Sequence, residues 1–390
     1  MRGASPQRPR LVTPQFLLIS FSCLAYFVSI GMIIPVLPLF VTGPMAGSEF
    51  DVGLVAGVFS VSAIILRPVA GRLGDTRGRR VLVLGGGAIA AVSIFGYTLA
   101  ESLPAIGLLR LLNGVGEAFF FTGAATAIAD IAPEARRGEA VSFFSLAVFL
   151  GIGLGPLLGE TLLDAGSFST VWIGSGALAT LAVAIALRMP DPKLEDSPEI
   201  SPFRLLHPKA VLPGTILALT IWGFAGFSSF VPLFAREIGM GGSKFVFLTY
   251  SVVIILIRSI GARIPDILGA RRSASISTVV SAIGLVLMGA ATEPWVLFLS
   301  AGIFGIGQAL CFPALISLAL AGAVASERSS VIGSFTAFVD VAFGVGPLTL
   351  GLVAEFAGVR SVFWVSAALA MVALAVLTTR LAGPGEPQPV

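Results

Sequence analysis

Arg110, Asn113 and Glu117 fall three and four residues apart in an otherwise apolar stretch, RLLNGVGEAFFF, so they share one face of any helix formed there. A carboxyl group held beside an arginine and away from water can bind and release a proton. Burial favours the neutral form, the cation favours the ionised form, and a small movement of either group shifts the balance. The same spacing also suits a plainer use, an Arg110–Glu117 pair that only satisfies itself. Asp340 is a second carboxylate in the middle of an apolar segment, and Arg67 and Arg258 are two further arginines of the same kind. A charge at mid-helix in a bilayer costs about 2.5–3.5 kcal/mol on insertion scales, and such residues usually face a cavity. Arg67 and Arg258 can instead snorkel toward the headgroups. The depths of Arg67 and Asp340 fit a contact between two helices of different domains, with Arg258 in the corresponding place.

Other chemistries have little to work with. His207 is the single histidine and lies in a polar stretch, and Cys23 and Cys311 are separated and lie in apolar segments. No nucleophile-and-base set and no metal-ligand spacing stands out, so an enzyme is not expected, nor a metal or other cofactor. The formal charge of +3 reflects where basic residues lie along the chain and does not point to nucleic acid.

The elements that must carry these residues are transmembrane helices. Of the 390 residues 56% are hydrophobic and only 12% charged, and the mean hydropathy is +0.98, whereas soluble domains carry about 25% charged residues. Apolar runs long enough to cross a hydrocarbon core of about 30 Å occur at 16–41, 52–73, 81–100, 104–131, 140–163 and 171–187, then at 211–235, 245–267, 273–291, 295–321, 331–354 and 362–377. Lipid offers backbone polar groups no partner, and a barrel would show short alternating segments, so the runs are read as twelve helices. Most of the 24 Lys and Arg fall in alternate loops on one side, and only Arg236, Lys244 and Arg360 fall on the other. By the positive-inside rule both termini are cytoplasmic in a multi-pass cell-membrane protein.

The chain is also duplicated. At an offset of 191, Arg258 aligns with Arg67, Arg263 with Arg72, Asp266 with Asp75, Gly269 with Gly78, Gly305 and Gly307 with Gly114 and Gly116, and Gly346-Pro347 with Gly155-Pro156. In the first helix the register differs by three, with Pro38-Leu39-Phe40 matching Pro232-Leu233-Phe234. Two six-helix bundles, 1–188 and 211–390, are therefore expected in the same orientation, joined by a polar cytoplasmic linker at 189–210. A parallel repeat of this kind can rock around a central cavity.

Two motifs remain. Between the second and third helices lies GRLGDTRGRR, with Gly71, Leu73, Gly74, Asp75, Gly78, Arg79 and Arg80 in a pattern more specific than loop charge requires. The fifth helix contains GIGLGPLLGE, in which Gly151, Gly155 and Gly159 line one face and Pro156 introduces a bend. Taken alone, those glycines also fit ordinary helix packing. Together with the repeat and topology, the first motif resembles the signature loop of the major facilitator superfamily, and the second resembles the fifth-helix motif of its drug:proton antiporter branch. Glu160 stands where the antiporter pattern has a second glycine, and adds an acid near the external surface. The Arg, Gly, Gly arrangement of the fourth helix is similar to a superfamily motif associated with proton coupling, with Asn113 in place of Gln and Glu117 in place of a small residue.

The resemblance implies alternating access, a central site between the halves, and export of a small, largely apolar molecule in exchange for protons. In that family the loop is a latch holding the outward-open state. Asp75 would sit against the N-terminal end of the eleventh helix and Arg79 would pair with an acid ending the fourth, here Asp130. Thr76 stands where a basic residue is common. Glu117 is the expected proton carrier, tuned by Arg110 and Asn113, with Asp340 next in line. Phe119, Phe120, Phe224, Phe227 and Gln308 are candidates for the substrate cavity. The partners implied are a small-molecule substrate, protons and the lipid bilayer, and the chain is expected to act as a monomer. An uptake symporter or a facilitator of the same fold is the alternative transport mode.

Overall fold

The computed structural model describes residues 12–133, 136–189, 206–261, 267–321, 323–324 and 327–380. Twelve long helices run through them: α1 Pro14–Thr42, α2 Glu49–Arg77, α3 Arg79–Gly96, α4 Leu103–Ile131, α5 Arg137–Ala165, α6 Phe168–Ala186, α7 Pro208–Glu237, α8 Lys244–Gly261, α9 Ala270–Ala290, α10 Pro294–Leu320, α11 Arg328–Ala357 and α12 Val359–Arg380. Eleven are long and apolar enough to cross a membrane. The other, α8, is described to Gly261, so part of the eighth run lies outside the described residues, as do Arg263 and Asp266.

Several helices extend beyond their apolar runs because polar residues finish them in the interfacial zone. Ser48 and Asp51 close a reciprocal capping box at the start of α2. α7 starts at Pro208, so the last residues assigned to the linker are helical, and His207 caps them through its ring nitrogen and the Lys209 N–H. Most of the linker, 190–205, lies outside the described residues.

The duplication is visible in side-chain detail. Gly78 and Gly269, equivalent at the offset of 191, both take positive φ (92° and 81°) immediately before α3 and α9, a conformation that a side chain would strain. Two residues on, Arg80 donates to the Leu187 carbonyl at 2.6 Å and Arg271 to the Thr378 carbonyl at 2.8 Å, again equivalent pairs. Each anchors the start of one helix to the end of the bundle's last.

Within the first half α1 packs on α5 and α6, and α4 on α2 and α3. The second half repeats this with α7 on α11 and α12, and α10 on α8 and α9. The halves meet along two equivalent seams, α2 with α11 and α5 with α8, and along α1 with α7. Outward faces are apolar, as at Ile65, Val92, Leu108, Ile260 and Phe356, where the bilayer replaces a packing partner. The end carrying the Gly71–Arg80 turn is called the basic end below, and the opposite one the far end.

Candidate functional site

Close packing brings α2, α4 and α11 together at mid-depth. A Cβ added to Gly114 of α4 would collide with the Phe59 carbonyl of α2, and one on Gly57 of α2 would collide with the Gly344 carbonyl of α11. Both contacts need bare glycine, and they aim three charged side chains at one another. Arg67 Nη2 lies 3.4 Å from each Glu117 carboxylate oxygen, and its Nε lies 2.8 Å from Asp340 Oδ2. The second contact is an ion pair whose N–H direction is too bent for a directed hydrogen bond. Side-chain exposures of 27%, 12% and 10% for Arg67, Glu117 and Asp340 leave the group a narrow opening. The guanidinium also sits 5.1 Å from the centre of the Phe121 ring. One cation is thus shared by two carboxylates, one from each half of the molecule.

Arg110 and Asn113 do not join this group. Arg110 Nε donates to the Val55 carbonyl at 3.1 Å and Nη2 to that of Ala56 at 3.4 Å, and the guanidinium stacks 4.6 Å over Phe59. Asn113 Nδ2 donates to Ser93 Oγ of α3 at 3.2 Å. The three residues share a stripe of α4, yet α4 is clasped between α2 and α3, so successive positions along that stripe meet different neighbours. The cation facing Glu117 is Arg67. Sequence reasoning also missed Phe121 and Tyr26, whose ring stacks 3.8 Å from Phe120 and whose buried hydroxyl lacks a hydrogen-bond partner. A tyrosine in the apolar first helix, one of three in the chain, was the available signal.

Of the proposed cavity residues, Phe120 and Phe227 are fully buried in aromatic packing, and Phe119 and Phe120 abut Gly86 of α3. Phe224 stacks with Phe227 and Tyr250 and meets Phe343 edge-on. Gln308 donates to the Thr220 carbonyl at 3.3 Å. These side chains build bundle interiors in this conformation.

At the basic end Arg79 Nε donates to Asp130 Oδ2 at 3.1 Å and Nη1 to Asp75 Oδ1 at 2.6 Å. Asp75, 58% exposed, is therefore held by Arg79 of its own half, and the side chains of residues 328–329 at the start of α11 lie outside the described ones. Gly74 gives room for Leu82 and Arg79 to fold back, whereas a side chain at Gly71 would meet open space. Leu73 is half-buried, and the Thr76 hydroxyl bonds the Arg72 carbonyl of its own helix. On α5, Gly151, Gly155 and Gly159 lie against Phe27, Gly31 and Met32 of α1, so this face welds two helices of one bundle around Pro156. Arg258 lies 4.4 Å over the ring of Phe149, across the α5–α8 seam.

Glu160 lies at the far end and is only 3% exposed. Its carboxylate accepts the Ser243 N–H at 2.9 and 2.8 Å, the Ser243 hydroxyl at 2.5 Å and the Lys244 N–H at 2.8 Å. It docks a residue of the first half on the start of α8 in the second. Lys244 Nζ adds an ion pair with Asp164 at 2.7 Å. Among the described residues no group of His, Cys, Asp and Glu is placed to hold a metal ion.

A sequence profile described as Major Facilitator Superfamily matches residues 19–266 and 243–390. The chain belongs to the Major Facilitator Superfamily. An uncharacterized MFS-type transporter of Escherichia coli strain K12, YhhS, is 30% identical over 366 residues, covering 92% of this chain and 90% of that one. A second such transporter, from Salmonella typhimurium strain LT2, is 28% identical over 370 residues, covering 92% and 94%. The fold is shared with an inward-facing, occupied structure of a bacterial homolog of the human lysosomal transporter Spinster, at 15% identity and TM-score 0.79, covering 96% and 97%. It is shared too with the nucleoside transporter NupG, at 14% identity and TM-score 0.74, covering 94% and 98%. This superfamily member is a secondary transporter and a multi-pass membrane protein, and not an enzyme.

Proposed function

We propose that the protein exports small, largely apolar molecules in exchange for protons, with Glu117 as the proton carrier. The observation that carries this reading is the sharing of Arg67 between Glu117 of one half and Asp340 of the other. One guanidinium and two carboxylates leave one uncompensated negative charge, which a single proton neutralises. Rocking of the halves separates Asp340 from Arg67, and the arginine then turns wholly to Glu117. Protonation and domain movement become the same event. The repeat supports the assignment, since Gln308 stands at the equivalent of Glu117 and cannot titrate. Proton influx suffices as a driving force, at about 2.3 kcal/mol per charge per 100 mV.

The direction, export, is supported by the Gly151, Gly155, Pro156, Gly159 motif on α5. The charge distribution supports a cell-membrane location with both termini, the basic end and the 189–210 linker on the cytoplasmic side, bundles at 1–188 and 211–390, and action as a monomer. The Gly71–Arg80 turn is the conformational latch of this scheme. Arg110 and Asn113 act by fixing α4 on α2 and α3.

The test begins with an efflux-deficient host, in which expression of the chain should raise tolerance to some compounds of a panel. Uphill movement of such a compound into inverted vesicles should be lost in Glu117→Gln, with substrate-driven exchange retained. Uphill movement in that variant with an unchanged pH dependence would place the proton site elsewhere.

A further inference from the structure

Carrying the Arg67 site into the other half by the offset of 191 lands on Arg258, on Gln308 in place of Glu117, and on Phe149 in place of Asp340. The equivalence is physical. Arg258 reaches across its seam to Phe149 as Arg67 reaches across to Asp340. The second half therefore keeps the arginine while both acids are gone. The Arg258 Nε is buried and has no hydrogen-bond acceptor, and among the described residues no carboxylate pairs with this side chain. The other intramembrane arginines differ. Arg67 has two carboxylates, and Arg110 has two backbone carbonyls.

An arginine cannot shed its charge, because its proton stays bound at any physiological pH. A guanidinium whose Nε is buried without an acceptor and whose face lies over an aromatic ring lacks a counter-ion among the described residues, and its planar fork of donors suits a carboxylate or another planar or tetrahedral oxyanion. Arg258 lies on the seam that must open for a substrate to pass, and Phe149 offers the adjoining apolar surface.

Resting on the transport reading above, we infer that Arg258 is the binding site for an anionic group on the transported molecule, making the substrate class small amphipathic acids. The molecule supplies at Arg258 the charge that Asp340 supplies at Arg67. Export of such an anion against an incoming proton moves positive charge inward twice, and both movements run downhill in an inside-negative membrane.

The test needs neither transport direction nor a proton gradient. Binding of 2-naphthoate and of the neutral, isosteric 2-naphthamide is measured by tryptophan fluorescence on the purified full chain in maltoside detergent stripped of phospholipid. The wild type should prefer the acid by about tenfold or more, the range of one charge-assisted hydrogen-bonded contact. Arg258→Gln should abolish the preference and Arg258→Lys should keep part of it. Phe149→Asp should abolish it too, by building the missing counter-ion into the protein, and monodisperse elution checks the fold of each variant. Absence of naphthoate binding to the wild type, equal binding of the amide, or an undiminished preference in Phe149→Asp overturns the assignment. So does an Arg258-dependent gain in melting temperature from acidic phospholipid without a matching response to naphthoate, which would make Arg258 a lipid anchor. Loss of uphill transport in Glu117→Gln leaves this outcome untouched, so the two readings fail separately.

Discussion

At the far end of the seam, Gly53 and Gly57 of α2 lie against the backbone of Pro347 and Gly344, and Glu160 of α5 is buried on the start of α8. At the basic end, Asp75 and Asp130 share Arg79 within the first half, and Lys209 pairs with Glu327 within the second. The far end is closed by dry contacts across the halves, backbone on backbone and a carboxylate that has exchanged water for fixed donors. Among the described residues, the basic end shows wetter ion pairs that each half makes for itself. Separating the far end exposes groups that have no substitute partner, whereas the basic-end pairs can be redistributed at small cost. In the proposed cycle Asp75, more than half of whose side-chain surface is open to solvent, can exchange partners as the basic end opens and closes.

Weakening the far end should have the largest effect. In Glu160→Gln the charge is lost from four donor contacts, and hydrogen bonds to charged groups contribute about 1.5–3 kcal/mol each. A cysteine placed at Ser251, buried against Gly153, in a background lacking Cys23 and Cys311 should label about ten- to a hundredfold faster in this variant, allowing for partial replacement by the amide. Unchanged labelling would mean that the glycine contacts alone close this end.

The latch comes second. Asp75→Asn or Arg79→Ala should lower transport by about two- to fivefold at equal membrane expression, the scale of an exposed ion pair used in one state only. Wild-type transport in both would reduce the turn to positive-inside charge.

The smallest effect belongs to Glu327. The Lys209 ammonium hydrogen-bonded to it holds its carboxyl below the ordinary value of 4.5. A carboxyl lowered on folding stabilises the fold above its unfolded value, and that contribution fades as pH falls through the folded one. Glu327→Gln should lower the melting temperature by about 1 °C at pH 7, and the difference should vanish on acidification below pH 4.5. A gap that persists in acid would make the loss one of packing.

Much of this architecture is legible in the sequence because hydropathy and duplication are long-range signals. The offset of 191 anticipates Gly78 with Gly269, and Arg67 with Arg258, with no knowledge of packing. The site was harder to read because helical spacing states which residues share a face and not what lies opposite. Arg110 and Glu117 share a stripe, but α2 supplies carbonyls to one and Arg67 to the other. The sequence places Glu160 near one membrane face but gives no hint that α8 begins beside it and buries it. The Arg79 contact with Asp130 follows the expected pairing, while Asp75 shares the same arginine, a contact that the four-residue spacing of Asp75 and Arg79 allows.

The glycine weld between α1 and α5 has a mechanical consequence. A Cβ on Gly31 would run into the Gly151 carbonyl and the Gly155 Cα, and one on Gly159 into Met32. In the second half the positions equivalent to Gly151 and Gly159 carry side chains, Ala342 and Leu350. Backbone contact is stiff, while side-chain contact yields by rotamer changes. A rocking bundle is a lever, and motion absorbed by its shaft never reaches the other end. In the proposed cycle the first half, which carries Glu117, is the stiffer arm between the proton site and the far-end closure. The second, with Arg258 and its aromatic interior, is the more compliant arm, which in that cycle reshapes around the transported molecule.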